Sequence, residues 1–405
     1  MIRLALVVAQ LLVVSAAFAQ AQEPATRAEV LAREREEKSK QLAPPQPGRL
    51  ERGLLMLENG RLFERILNPP EGFYPKIGNI TPGGGFALGP AYRKPVFGER
   101  AAFSALAMAS FKRYWLVESQ LTFLDQADGR VFGDVHGRIY EYPLEDFFGL
   151  GPDSRREDDV IYGFRSSEIG AAAGVRPVPT FTLGGKLDYL TPSVNPGASG
   201  HRSIRDLFFP SAVPGLDVQP DFVRYEASAD LNLREPLGNP RRGGQYRVAY
   251  QWFDDRDTGL YDFRRVDVDL QQYVPLLRDR RVLALRAFAS SADTGSGQEV
   301  PFYYQRTLGG PDDLRGFRQF RFRDRNVLLL QAEYRWEIFT AVDGAIFYDA
   351  GRVAPRFGDL GLSDLESDYG IGFRFGTRNG VFLRVEGAFG SSGGKHFILR
   401  FGHVF

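Results

Sequence analysis

The residues best placed to do chemistry lie in Leu308-Gly309-Gly310-Pro311-Asp312-Asp313-Leu314-Arg315-Gly316-Phe317, inside a long connection at 292–323. Connections of roughly thirty residues without structure of their own are usually functional or disordered. The two glycines Gly309 and Gly310 allow a tight approach, and Arg315, Gly316 and Phe317 form the tip. Two acids on the strands that follow suit the guanidinium. They are Glu333 and Asp349, the latter in Phe347-Tyr348-Asp349-Ala350-Gly351. Adjacent antiparallel strands are expected to bring them side by side. A planar guanidinium can bond both and fold the loop inward, and breaking such a buried pair costs about 3–5 kcal/mol. Against this stands a plain alternative, that Arg315 is one of 51 Lys and Arg residues and sits in water. Spacing alone leaves both readings open.

Other chemistry is thinner. Gly390-Ser391-Ser392-Gly393-Gly394 fits the G-x-S-x-G pattern, with His396 close by. A nucleophile elbow needs a strand, a sharp turn and a helix. A strand follows here, so the glycines read as a hairpin loop and no enzyme activity is expected. His136, His201, His396 and His403 lack metal-ligand spacing, so no metal is expected. Asp267 and Asp269 share a face with Arg265, which reads as a charged lining rather than a cation site. There is no phosphate loop and no cofactor motif. A net charge of +1 points to no nucleic acid, and the absence of cysteine excludes disulfides and thiolate metal sites.

The elements that must hold these residues read in three stretches. Residues 1–19 have the form of a signal peptide, with Arg3, an apolar run over 4–14 and Ala17-Phe18-Ala19 before the cleavage point. That run is too short to span a bilayer. Residues 20–72 read as a short periplasmic helical segment with a Pro-rich linker at Ala43-Pro44-Pro45-Gln46-Pro47-Gly48. From 73 to 405 the period is two. Tyr246, Val248, Tyr250 and Trp252 alternate with Gln245, Arg247, Ala249 and Gln251, and the same holds near 324–336. About sixteen such strands are expected, with long connections at 143–158, 192–220, 292–323 and 351–365 all on one side. Even strand number, short turns on one side and long loops on the other are the marks of an outer-membrane barrel. The expected fold is therefore all-β and transmembrane: a 16-stranded antiparallel outer-membrane β-barrel over residues 73–405. The chain ends in Phe401, Gly402 and Phe405, an aromatic close suited to the lipid interface. The first strand carries Pro75 and Gly78, which weaken pairing, so a weak seam with the last strand is expected.

Residues 73–405 resemble the bacterial surface antigen family, the barrel of outer-membrane assembly insertases and two-partner secretion transporters. The resemblance rests on the Gly-Gly…Leu-Arg-Gly-Phe loop, the Phe-x-Asp-x-Gly strand and the aromatic-ended last strand. It implies that Arg315 enters the lumen and pairs with Glu333 and Asp349, and that the seam opens toward lipid. It departs from the family's assembly members in leaving only 20–72 where they carry polypeptide-transport-associated domains. The implied partners are outer-membrane lipid, a polypeptide client and a separate periplasmic or lipoprotein partner. Three functions stand: insertion or passage of polypeptide or lipid, a passive or structural pore with a plugging loop, and, least, a lipid hydrolase.

Overall fold

The computed structural model describes residues 71–400, apart from 127–128, 278–279, 340, 377–379 and 392–393. The expected leader, residues 20–70 and the terminal Phe401, Gly402 and Phe405 lie outside the described residues. All described residues belong to one of two compact units, Gly53–Phe405. The strands are β1 (Gly72–Asn79), β2 (Phe86–Val96), β3 (Ala101–Ser110), β4 (Trp115–Gln126), β5 (Val131–Phe147) and β6 (Val160–Val178). Then come β7 (Phe181–Asn195), β8 (Phe222–Asn232), β9 (Gly243–Asp255), β10 (Phe263–Leu276), β11 (Arg281–Thr294), β12 (Arg306–Leu308) and β13 (Phe322–Asp324). The last five are β14 (Asn326–Phe339), β15 (Val342–Ala354), β16 (Glu366–Gly376), β17 (Val381–Gly390) and β18 (Lys395–Arg400). Sixteen of them form one sheet in chain order, the number expected, while β12 and β13 pair separately within the long loop.

Burial runs inside out. Arg315, Arg335, Arg374 and Arg384 are among the largest fully buried side chains. Ile169, Tyr369 and Phe397 are 63%, 63% and 76% exposed. A water-soluble sandwich would bury the second group and solvate the first. A barrel in lipid turns its apolar face outward and its ionic face to the lumen. On β14 the period of two achieves this with Gln331, Glu333 and Arg335 buried and Leu328, Leu330 and Tyr334 turned out. Among the described residues no helix is long and apolar enough to cross a membrane, so crossing falls to the strands.

The connections mostly follow the expected parity, with long segments at 148–159, 196–221, 295–325 and 355–365. The β8–β9 connection, 233–242, is the exception, long although it lies on the short-turn side. The long 295–325 loop is also not structureless. It holds a 3₁₀ turn at Phe302–Tyr304 and the small β12–β13 pair.

β1 and β18 are the two ends of the sheet order, and among the described residues no pairing joins them. Pro75 lies directly opposite Pro90 on β2. Gly78 pairs with Ala87. Two prolines facing each other remove donors from the same rung. The β2–β3 ladder is also interrupted, passing from Leu88↔Ala109 to Ala91↔Leu106. Pro75, Gly78 and Pro90 thus all fall in the first hairpin, and the gap in the β2–β3 ladder lies beside it.

Candidate functional site: an ionic lock in the lumen

The site begins with backbone geometry. Gly309 and Gly310 take φ of +112° and +109°, a region that favours glycine. They turn the chain so that Gly310 N–H donates to the carbonyls of Leu314 and Phe317, both at 3.2 Å. The tip is thereby closed on itself, with Arg315 at its apex. Gly316 then passes against the wall. A Cβ there would lie 2.5 Å from Gly390 N and 2.6 Å from Asp368 Cβ. Gly316→Ala is expected to destabilise the docked loop by about 1–3 kcal/mol through overpacking, read as a lower midpoint in denaturant titration of the refolded barrel. Phe317 packs on Phe322 at 5.3 Å between centroids, in an apolar cluster with Leu308, Leu314, Val327 and Leu329.

All three nitrogens of the Arg315 guanidinium then bond carboxylates. Its Nε and Nη2 donate to Asp349 Oδ2 and Oδ1 at 2.6 and 2.8 Å, a bidentate fork. Nη1 donates to Glu333 Oε2 at 2.9 Å and to Glu386 Oε1 at 3.5 Å. The guanidinium carbon lies over the Phe347 ring, 3.4 Å from its centroid. That gives the Phe347 of the strand motif a direct part in the lock. Gly351 of the same motif faces Leu308 of the loop, where a Cβ would come within 2.9 Å of Leu308 Cδ1.

The structure brings Arg315, Glu333 and Asp349 together but corrects the expected register. Gln331, not Glu333, lies opposite Asp349, and Glu333 lies opposite Phe347. The acids are diagonal neighbours, and the long guanidinium spans the offset. Gln331 fills the gap, with Nε2 donating to Asp349 Oδ1 at 3.1 Å and to the Asp313 carbonyl at 2.8 Å.

Sequence reasoning missed much of the cluster. Glu386 on β17 is a third acid on Arg315. Glu333 also accepts from Arg335 Nε at 2.7 Å and pairs with Arg374. Arg384 pairs with Glu386 at 3.2 Å, and Arg400 pairs with Asp312 in the loop. The available signal was charge at every second position of the last strands, as in Arg384 and Glu386.

The far wall was missed as well. Arg318 pairs with Asp146 at 3.1 Å and also with Asp159. Arg321 Nη1 and Nη2 donate to Ser154 Oγ and its carbonyl at 2.8 and 2.6 Å. Arg323 donates to the Phe302 carbonyl at 2.8 Å and to Tyr162 Oη at 3.1 Å. The alternating run Arg315-Gly-Phe-Arg318-Gln-Phe-Arg321-Phe-Arg323 carries these contacts. One loop is therefore tied to β14–β17 on one side and to the β5–β6 region on the other.

The loop also carries a titrating group. Burial pushes the Asp313 carboxyl up to about 7, against the pull of Arg286. A folded value above the unfolded one gives stability that is present at low pH and is lost as pH rises from about 4 to about 7. Protease nicking at Arg318 or Arg321 should therefore increase from pH 5 to pH 8, and Asp313→Asn should flatten that rise.

The remaining candidates serve other roles. Asp267 pairs with Arg306, and Asp269 takes a bidentate pair from Arg286 at 3.0 and 2.8 Å, while Arg265 donates to the Tyr304 carbonyl. Among the described residues no cluster of metal-ligating side chains occurs. His136 lies between Asp134 and Asp188 at 2.7 and 2.9 Å. Ser392 is outside the described residues, and β17 and β18 flank it.

Residues 222–391 match the Omp85 superfamily domain. This stretch contains the whole lock from Arg315 to Glu386. The fold is similar to BamA from Haemophilus ducreyi lacking POTRA domains 1–3, at 14% identity and TM-score 0.62, over 82% of this chain and 69% of that one. It is also similar to CdiB from Escherichia coli, at 13% identity and TM-score 0.51, over 81% of this chain and 61% of that one. CdiB from Acinetobacter baumannii gives 13% identity and TM-score 0.47, over 81% and 57%. At these identities the first two likenesses are of fold, that of an outer-membrane β-barrel. Among proteins of curated function none matches the chain.

Proposed function

We propose, starting from a chain whose residues 222–391 match the Omp85 superfamily domain, that this barrel inserts or passes polypeptide at the bacterial outer membrane. The observation that carries the reading is the buried Arg315 lock. Four guanidiniums and three acids, drawn from the loop and from β14, β15, β16 and β17, are linked in one buried cluster in the lumen. A merely structural wall does not need so costly a cluster, because buried ion pairs gain little over apolar packing. Holding the loop on β14–β17 stiffens the wall beside the last strands and leaves the first hairpin, with Pro75, Gly78 and Pro90, as the place where the wall yields. Outer-membrane lipid is then the receiving phase, and a periplasmic or lipoprotein partner delivers the client. In this reading the barrel uses no cofactor and catalyses no covalent step.

A passive pore with a permanent plug is the second reading. The ties of Arg318 to Asp146, Arg321 to Ser154 and Arg323 to Tyr162 on the opposite wall favour it, since they hold the loop across the lumen at both ends.

The test is a cysteine pair joining β1 to β18 in a chain that has no native cysteine. Purified barrel in lipid vesicles is mixed with a small urea-unfolded outer-membrane barrel as client. The reading expects accelerated client folding that stops when the seam is oxidised shut and returns on reduction. Unchanged acceleration through a closed seam rejects the seam as the route, and no acceleration with the seam open rejects the reading in favour of the plugged pore.

A further inference from the structure

The turn side of the wall carries one connection that does not behave as a turn. Residues 233–242 join β8 to β9, yet they reach strands that are not their neighbours. Arg241 Nη2 bonds Asp343 Oδ2 at 2.5 Å, at the start of β15. The Gly238 carbonyl accepts from Val381 N–H at 3.2 Å, at the start of β17. Three strands, β10, β11 and β14, lie between β9 and β15 in the sheet order. A segment touching both sides must run as a chord under the lumen. Both of these contacts fall at the turn ends of the strands, the end opposite the long loops.

The segment is built to stay there. Its root is closed by Leu233 N–H to Gly244 carbonyl at 2.7 Å and by Arg241 and Arg242 N–H to the Glu235 carbonyl at 2.9 and 3.2 Å. Gly243 returns the chain at φ +82°, where a Cβ would fall 1.8 Å from the Leu233 carbonyl oxygen. Asn239 is only 3% exposed against the wall. The space left between Asn239, Arg241 and the wall at Asp343, Arg374 and Val381 is about 10 Å³, room for one water at most. Leu237, by contrast, is 65% exposed. Above this strap stand Arg374 and Glu333 of the lock cluster, so the strap closes the same side of the lumen from below.

We propose that residues 233–242 are an inner gate, in series with the Arg315 loop, and that ions or solutes cross the lumen only when both are displaced. The Arg241–Asp343 pair is its latch. The inference goes beyond the proposed handling of polypeptide and does not depend on which client is used. Ion conductance reads the gate, whereas client folding reads the seam, so either can fail without the other.

The experiment is planar-bilayer recording in potassium chloride of wild type, Arg315→Ala, Arg241→Ala/Asp343→Ala, and the three changes combined. Two gates in series predict single-variant conductances near wild type and a several-fold rise in the combination. Arg315→Ala alone reaching the combined conductance would overturn the proposal, as would a combination no larger than Arg315→Ala. If Arg315→Ala does not refold, Arg315→Lys replaces it. In the combined variant a Gly238→Cys/Gly380→Cys disulfide should suppress the added openings until reductant is added. Openings that persist with the disulfide closed also overturn the proposal.

Discussion

Arg315→Ala should lower the folding stability of the detergent-refolded barrel by about 3–5 kcal/mol, the cost of removing one partner from a buried ion pair. The figure follows from what is left behind. Asp349 loses a bidentate cation at 2.6 and 2.8 Å and keeps Gln331, which cannot neutralise it. Phe347 loses the guanidinium stacked on its face. Arg315→Lys keeps the charge but neither the fork nor the stack, so it should recover only part of the loss. A guanidinium chloride titration in micelles or vesicles measures all three proteins. A change in midpoint without a change in slope would place the effect in stability rather than in the extent of unfolding. The companion double mutant Arg315→Ala/Asp349→Ala should cost less than the sum of its parts, because no buried charge is then left facing an empty site.

Glu333→Gln is expected to be at least as damaging, for the opposite reason. Glu333 is the acid shared by Arg315, Arg335 and Arg374, with Nη1 and Nε contacts at 2.9 and 2.7 Å from the first two. The amide keeps the shape and the acceptor but removes the charge that lets three guanidiniums sit together. Uncompensated charges in a site of low polarity cost several kcal/mol each, so a loss of about 3–5 kcal/mol or failure to refold is the expected result. Glu386→Gln, whose nearest contact to Arg315 is 3.5 Å, should cost distinctly less. The ranking Glu333 above Glu386 is therefore the informative outcome, read from parallel denaturant titrations. A Glu386 variant that is the worse of the two would mean the cluster is organised around the wrong acid.

Much of this architecture was legible in the residues, because lipid imposes a period of two that survives in plain view. Gln331, Glu333 and Arg335 alternate with Leu330, Ala332 and Tyr334, so the lumen face of β14 is readable by eye. The loop lock was legible only as a pairing of types. An arginine between two glycines and an aromatic ring needs acids, and the following strands offer Glu333 and Asp349. The register that makes them diagonal was not legible, since a shift of two residues leaves the face pattern unchanged. Glu386 was invisible for another reason. It lies 71 residues from Arg315 and meets it only because the wall curls. The strap at 233–242 drew no reading from sequence because Pro236, Gly238, Asn239 and Pro240 are ordinary turn residues. Nothing local distinguishes a turn that ends in solvent from one that reaches a distant strand.

The central claim is that the 309–321 segment is held inside a lipid-embedded cylinder by Arg315. Hydrogen exchange of that segment in the refolded wild-type barrel tests it most directly. The account predicts that the amides of Gly310 and Phe317 exchange on the slow timescale of β14, and that Arg315→Ala accelerates them while β14 itself stays protected. Exchange of those amides in wild type as fast as that of the exposed turn at 97–100 would contradict it.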